Sequence, residues 1–245
     1  MPSPPRIIAL WAVPRSVSTA FERMIAARGD FTVINEPYSA IYYYGPNRRN
    51  TRYHAEPPSD DHDPIKILAK MHAAAAESPV FFKDMAYHVR DLLSADFLAP
   101  FTNTVLIRDP RRSIPSLYKR LPDFTLEETG FESLARLVEF ATDRDGQPPP
   151  VIDGRALRQK PAPVARAWCD AVGIPFEPDS LTWSEGNEDH WDRWTEWFDD
   201  AANSQGFIPP EPGLDHETLA IPKVAEAVAH CLQYYESLSQ HLIHT

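Results

Sequence analysis

Short, mostly apolar runs alternate with amphipathic stretches along this chain. The runs are residues 6–13 (RIIALWAV), 31–34 (FTVI), 79–84 (PVFFKD), 103–108 (NTVLIR) and 150–153 (PVID). They are too short for helices, so they predict five strands buried on both faces. Helical spacing predicts helices over 18–28, 65–77, 87–97, 112–120, 126–141, about 161–172 and about 222–242. In the first, Phe21, Met24 and Ile25 share one face and Gly29 ends the run. In the last, Val224, Val228, Cys231, Tyr235, Leu238 and Leu242 mark the apolar face. Pro115 is admissible only in the first turn of its helix. Strands alternating with helices predict an α/β fold, a parallel sheet of about five strands with helices on both faces. The expected organisation is one domain over 1–245, with the segment from about 183 to 245 packed on it as a helical region.

Two stretches break the pattern. Residues 42–64 are polar and proline-rich, which predicts a long loop or lid. There Tyr42–Tyr44 with Arg48, Arg49 and Arg52 suit either a mobile cover or a solvated loop. Residues 183–198 hold four tryptophans in acidic surroundings. Trp191, Trp194 and Phe198 recur at i, i+3 and i+7, which suits packing, or else the wall of a ligand pocket.

The 245 residues carry 24 Lys and Arg against 35 Asp and Glu, a formal net charge of −11. That balance argues against a nucleic-acid partner but leaves room for a small anion where cations are focused. The two cysteines, Cys169 and Cys231, lie far apart and predict a reduced, cytoplasmic protein. No apolar run is long enough for a membrane span, and the first is too short for a signal-peptide core. No metal-ligand spacing stands out.

In a parallel sheet, ligands gather at the carboxyl ends of the strands. That rule selects 14–20, 35–38, 83–88 and 108–116. After the first strand comes Pro14-Arg15-Ser16-Val17-Ser18-Thr19-Ala20. A helix N-terminus attracts anions, three hydroxyls add donors, and Arg15 adds a forked cation suited to phosphate or sulfate. A plain serine or threonine N-cap is the alternative. This is not a Walker A loop: the glycine pair and the lysine are missing. Arg108 ends the fourth strand, and Ser116 follows in the next helix. They suit a second phosphate clamp, or else Arg108 pairs with Asp109 at the surface. Arg112 is expected to face water. Glu36 is the leading candidate for a general base and His88 the second. Lys83 suits charge stabilisation on a leaving oxygen.

Together, PRSVST and RDPRRSIPS resemble the sulfotransferase superfamily. The likeness extends to a subgroup of small bacterial and plant sulfotransferase-like proteins. It runs through Asn35-Glu36-Pro37-Tyr38, Lys83-Asp84, Trp183-Ser184-Glu185-Gly186, the tryptophans at 191 and 194, and Ser204-Gln205-Gly206-Phe207. Some of that subgroup carry aminotransferase-like names, but these motifs hold nothing suited to pyridoxal chemistry. The resemblance implies a P-loop-NTPase-like fold. It also implies transfer of a sulfuryl group from 3′-phosphoadenosine 5′-phosphosulfate (PAPS) to a hydroxyl or amine of a small-molecule acceptor, leaving adenosine 3′,5′-bisphosphate, without a metal. The loop 14–20 would hold the 5′-phosphosulfate, and Arg108 with Ser116 the 3′-phosphate. Glu36, Lys83, Arg15 and His88 become the catalytic candidates. Monomer and homodimer are both compatible. A kinase or lyase on the same fold, or a noncatalytic nucleotide-binding module, are the alternatives. The chain departs from the family's usual first loop. Arg15 replaces a lysine, and Val17 stands where glycine is usual, so a helical backbone is expected at that β-branched residue.

Overall fold

The computed structural model describes residues 6–48, 50, 52, 62–191, 197–210 and 212–244. Five strands form one sheet: β1 (Ile7–Ala12), β2 (Thr32–Asn35), β3 (Val80–Met85), β4 (Thr102–Ile107) and β5 (Val151–Asp153). Their order is β2-β3-β1-β4-β5 and every pairing is parallel. The α-helices are α1 (Ser18–Arg28), α2 (Ser39–Tyr44), α3 (Pro64–Ala75), α4 (Ala95–Leu98), α5 (Pro110–Arg120), α6 (Phe131–Asp145), α7 (Gly154–Gln159), α8 (Pro161–Val172), α9 (Asp199–Ala202), α10 (His216–Leu219) and α11 (Pro222–Ser239).

Strand β1 shows why the strands read as unbroken apolar runs. All six of its residues are buried, and successive side chains enter opposite layers. Ile7, Ala9 and Trp11 join α3, α5, α6 and α11 in one core. Ile8, Leu10 and Ala12 join α1 and α8 in the other, around Phe21, Phe81 and Trp168. The helix after β1 therefore packs on one face, and the helix after its neighbour β4 on the other. That is a topological switch point, where a crevice opens beyond the strand ends.

Four expectations need correction. Val17 is not helical: it lies in the left-handed region at φ 83°, ψ 15°, and Arg15 has φ 60°. The chain must reverse from strand into helix within five residues, and left-handed residues make that bend. Pro115 sits inside α5, because the helix already starts at Pro110. Residues 87–97 are not one helix. A 3-10 turn over Ala86–Val89 follows β3 directly, and α4 starts afresh where Ser94 Oγ accepts the Phe97 N–H at 3.1 Å. Tyr42–Tyr44 belong to α2 rather than to a loop, with Tyr42 and Tyr43 buried. Arg49 and Trp194 lie outside the described residues. Helix α7 was missed, for its six residues carry too little periodicity to register.

Cys169 and Cys231 are free and buried, and burial pushes each thiol up to about 11. Among the described residues, no helix is long and apolar enough to cross a membrane.

Candidate active site

A cleft of about 470 Å³ opens at the switch point. Pro14, Arg15, Val17, Ser18, Thr19 and Ala20 line it, with Glu36, Lys83, His88, Arg108 and Ser116. Ser16 lies just behind, fully buried. Eight arginines and lysines line the cleft against four carboxylates. A chain of net charge −11 thus concentrates positive charge where the strands end.

The first loop owes its shape to its backbone. Left-handed residues alternating with right-handed ones form the concave "nest" that binds anions. For a β-branched residue this conformation is costly, of order 1–3 kcal/mol, and the surroundings must enforce it. Gly154 shows one way they do so. A Cβ at that position would stand 2.3 Å from the Ser16 carbonyl oxygen, so the loop rests directly on the start of α7. No side chain caps α1, so the hydroxyls of this loop are not spent as an N-cap. Ser16 Oγ has no partner among the described residues.

Arg108 follows β4 and donates from Nη1 to the Arg15 carbonyl at 2.8 Å. It does not pair with Asp109, which caps α5 and binds Arg111 at 2.7 Å. Ser116, on α5, accepts from Arg15 Nε at 2.9 Å. Arg112 lines the cleft as well, and donates to the Gly213 carbonyl at 2.9 Å.

Strand β3 delivers an ion pair and a carboxylate–histidine hydrogen bond side by side. Lys83 is fully buried, and its Nζ meets Glu36 Oε1 at 2.5 Å. Burial alone would lower the Lys83 ammonium; the carboxylates of Glu36 and Glu22 outweigh it and hold it above the ordinary lysine range. The Phe198 ring covers it at 5.1 Å. Glu36 has φ 40°, while its N–H still extends the ladder to the Lys83 carbonyl at 2.9 Å. The neighbouring Asp84 is also fully buried. It accepts from the Tyr38 N–H at 2.7 Å, the Met85 N–H at 2.8 Å and His88 Nδ1 at 2.6 Å. His88 Nε2 has no hydrogen-bond partner among the described residues, and His88 lines the cleft.

The facing wall is bolted to α1. Glu22, fully buried, accepts from Asn35 Nδ2, from Trp191 Nε1 at 2.6 Å and from His190 Nε2 at 3.1 Å. Burial pushes its carboxyl up; the hydrogen bond from His190 and the charge of Lys83 outweigh this and hold it below the ordinary range. Arg23 donates to the carbonyls of Ala201 and Ser184 and pairs with Glu188 at 3.0 Å. Trp191 is thus both packed and bonded. Arg52 is not solvated: it pairs with Asp123 at 2.5 Å and Glu128 at 3.1 Å.

Sequence reasoning missed Asp84, Glu22 and Arg23 as part of this assembly. Signals were present: Asp84 and His88 stand at i, i+4, and Glu22-Arg23 interrupt the apolar face Phe21-Met24-Ile25. Charges there are costly unless bonded, so they mark a buried network.

Two Arabidopsis thaliana proteins share the sequence pattern. Branched-chain-amino-acid aminotransferase-like protein 2 is 27% identical over 258 residues, covering 97% of this chain and 42% of its own length. Branched-chain-amino-acid aminotransferase-like protein 1 is 28% identical over 227 residues, covering 84% and 37%. The chain spans less than half the length of these curated relatives. Among solved structures, the sulfotransferase domain of the Synechococcus PCC 7002 olefin synthase superposes with a TM-score of 0.54. The two are 16% identical, and the match covers 92% of this chain and 95% of that one. It shares the parallel-sheet fold. A family model described as a sulfotransferase domain matches residues 5–238, and the chain therefore belongs to the sulfotransferase domain family.

Proposed function

We propose that this domain transfers a sulfuryl group from PAPS to a hydroxyl or amine of a small-molecule acceptor. One observation carries the reading: the anion loop, Arg108 and Ser116 line the same cleft as Lys83, Glu36 and His88. The nest and the unbonded N–H groups of the first turn of α1 suit the 5′-phosphosulfate, and Arg15 adds a permanent charge. Arg108 and Ser116 suit the 3′-phosphate. The acceptor oxygen or nitrogen attacks sulfur in line, and the bond from sulfur to the 5′-phosphate oxygen breaks. Negative charge builds on that leaving oxygen. Lys83, kept charged by its carboxylate partners, suits stabilising it.

The acceptor's proton needs a base. Glu36 already accepts from Lys83. His88 is held by Asp84 through Nδ1, and its buried Nε2, without a hydrogen-bond partner among the described residues, is left to take a proton. That arrangement favours His88 as the base and Asp84 as the residue that positions it.

The test is ligand-dependent melting followed by turnover. Adenosine 3′,5′-bisphosphate at about 100 times its Kd stabilises the fold by roughly 2.7 kcal/mol, which raises Tm by about 5–10 °C for a chain of this size. ATP with magnesium gives a smaller shift, and PAPS is turned over with at least one acceptor of a hydroxyl and amine panel. Equal shifts from the two nucleotides, with no turnover, would overturn the proposal.

A further inference from the structure

All three nitrogens of the Arg15 guanidinium are engaged by the protein itself. Nε donates to Ser116 Oγ at 2.9 Å, Nη1 to the Trp197 carbonyl at 3.4 Å, and Nη2 pairs with Asp200 Oδ2 at 3.0 Å. Asp200 is an unusual partner for the cation of an anion loop. Its side chain is 76% exposed, whereas that of Arg15 is 18% exposed, and both line the cleft. An exposed carboxylate gives up an ion pair to water at little cost. An arginine fork, by contrast, binds phosphate in the same bidentate manner as carboxylate. The two anions are therefore competitors for one cation.

The carboxylate is also presented from a fixed base. Arg23 holds the Ala201 carbonyl from the α1 side, and Arg120 pairs with Asp199 at 2.8 Å from the α5 side. Phe198 is anchored over Lys83. Helix α9, which bears Asp200, is thus held at Ala201 by the buried Arg23, while the Asp200 side chain stands at the surface.

We propose that Asp200 is an internal competitor that sets how tightly the donor and its product are held. It occupies Arg15 in the unliganded protein and leaves when a phosphate group takes the guanidinium. It then returns to the guanidinium and speeds departure of the bisphosphate. The inference rests on the donor reading above. Removing the carboxylate leaves Arg15 with fewer bonds to break on binding, so affinity rises. An ion pair this exposed is worth at most about fivefold in a binding constant. Most of that gain falls on dissociation, the step that usually carries affinity differences.

The experiment is calorimetric titration of the full chain with adenosine 3′,5′-bisphosphate, in the wild type, Asp200→Asn, Arg15→Gln and the double variant. Melting temperatures check that each is folded. The expected result is a Kd about two- to fivefold lower in Asp200→Asn, with a matching slower release in stopped-flow displacement. In the Arg15→Gln background the Asp200 substitution then changes nothing, because its target is gone. Unchanged or weaker binding by Asp200→Asn overturns the proposal. So does an equal gain in both backgrounds, which would mean plain repulsion between Asp200 and the ligand. If none of the four proteins binds the bisphosphate, the donor reading itself falls, and this inference with it.

Discussion

The strand-end wall of the cleft, residues 13–20, 35–38, 83–88 and 108–116, hangs on backbone ladders. The facing segments, residues 183–191 and 197–206, hang on side chains of α1. On the first wall, the Glu36 N–H bonds the Lys83 carbonyl, and the Val13 N–H bonds the Leu106 carbonyl. On the second, Glu22 and Arg23 gather Ser184, Glu188, His190, Trp191 and Ala201. A parallel sheet fixes the first wall through bonds that do not depend on side-chain identity. The second depends on two charged residues that are nearly or wholly buried. The comparison separates two ways of building the cleft: one wall is set by backbone ladders, and the other by buried charged side chains.

The sharpest way to break this division is to remove chemistry from the strand-end wall without touching its frame. His88→Asn is expected to lower sulfuryl transfer by roughly 10²–10⁴-fold, the usual size of general-base catalysis, with nucleotide affinity nearly unchanged. Glu36→Gln should cost less, since that carboxylate is engaged by Lys83. Steady-state rates beside calorimetry decide it; the reverse ranking would return the base to Glu36.

The next effect belongs to the facing wall and appears as stability. Folded Glu22 is held below its ordinary range. Its charge therefore stabilises the fold above the unfolded carboxyl pKa of about 4.3, and that share is lost as pH falls through the lower folded value. Glu22→Gln should reduce the unfolding free energy at pH 7 by about 3 kcal/mol, since it leaves buried partners unmatched. The gap from wild type should narrow below about pH 4. Denaturant titrations at pH 7 and pH 3 measure it, and a gap independent of pH would assign the loss to packing.

The smallest effect distinguishes two arginines within the cleft. Arg108 bonds the anion loop, whereas Arg112 bonds the carbonyl of Gly213. Arg108→Ala is expected to weaken adenosine 3′,5′-bisphosphate binding about tenfold or more, and Arg112→Ala by less. Indistinguishable Kd values would mean that the nucleotide rests on both arginines alike.

The two walls also differ in how well they could be read from the chain. Strands buried on both faces appear as apolar runs, and the rule for parallel sheets then points to their carboxyl ends; residues 14–20, 36, 83, 88, 108 and 116 emerged that way. Helix α1 was bounded correctly at Ser18 and Arg28 because its apolar face and Gly29 are local signals. On the facing side the sequence offered its aromatic residues as packing or a pocket wall, but the bonds to α1 were not legible, because they join residues more than 150 positions apart. The failures nearer the site have a common origin. Val17 adopts a conformation its side chain disfavours, and residues 86–89 tighten into a 3-10 turn beside the Asp84–His88 bond. In both places tertiary demands override local preference, as they often do where structure serves chemistry.

The seat of the first loop on Gly154 carries a consequence for how this site can diverge. The carbonyl of Ser16 touches the start of α7 with no room for even a methyl group. The edge strand β5, which leads directly into α7, is thereby the gauge against which the loop is set. Any side chain at position 154 must either lift the loop off its bend or drive α7 outward. The pitch of the loop after the central strand has a tolerance smaller than one carbon atom, and it is set from the edge of the sheet.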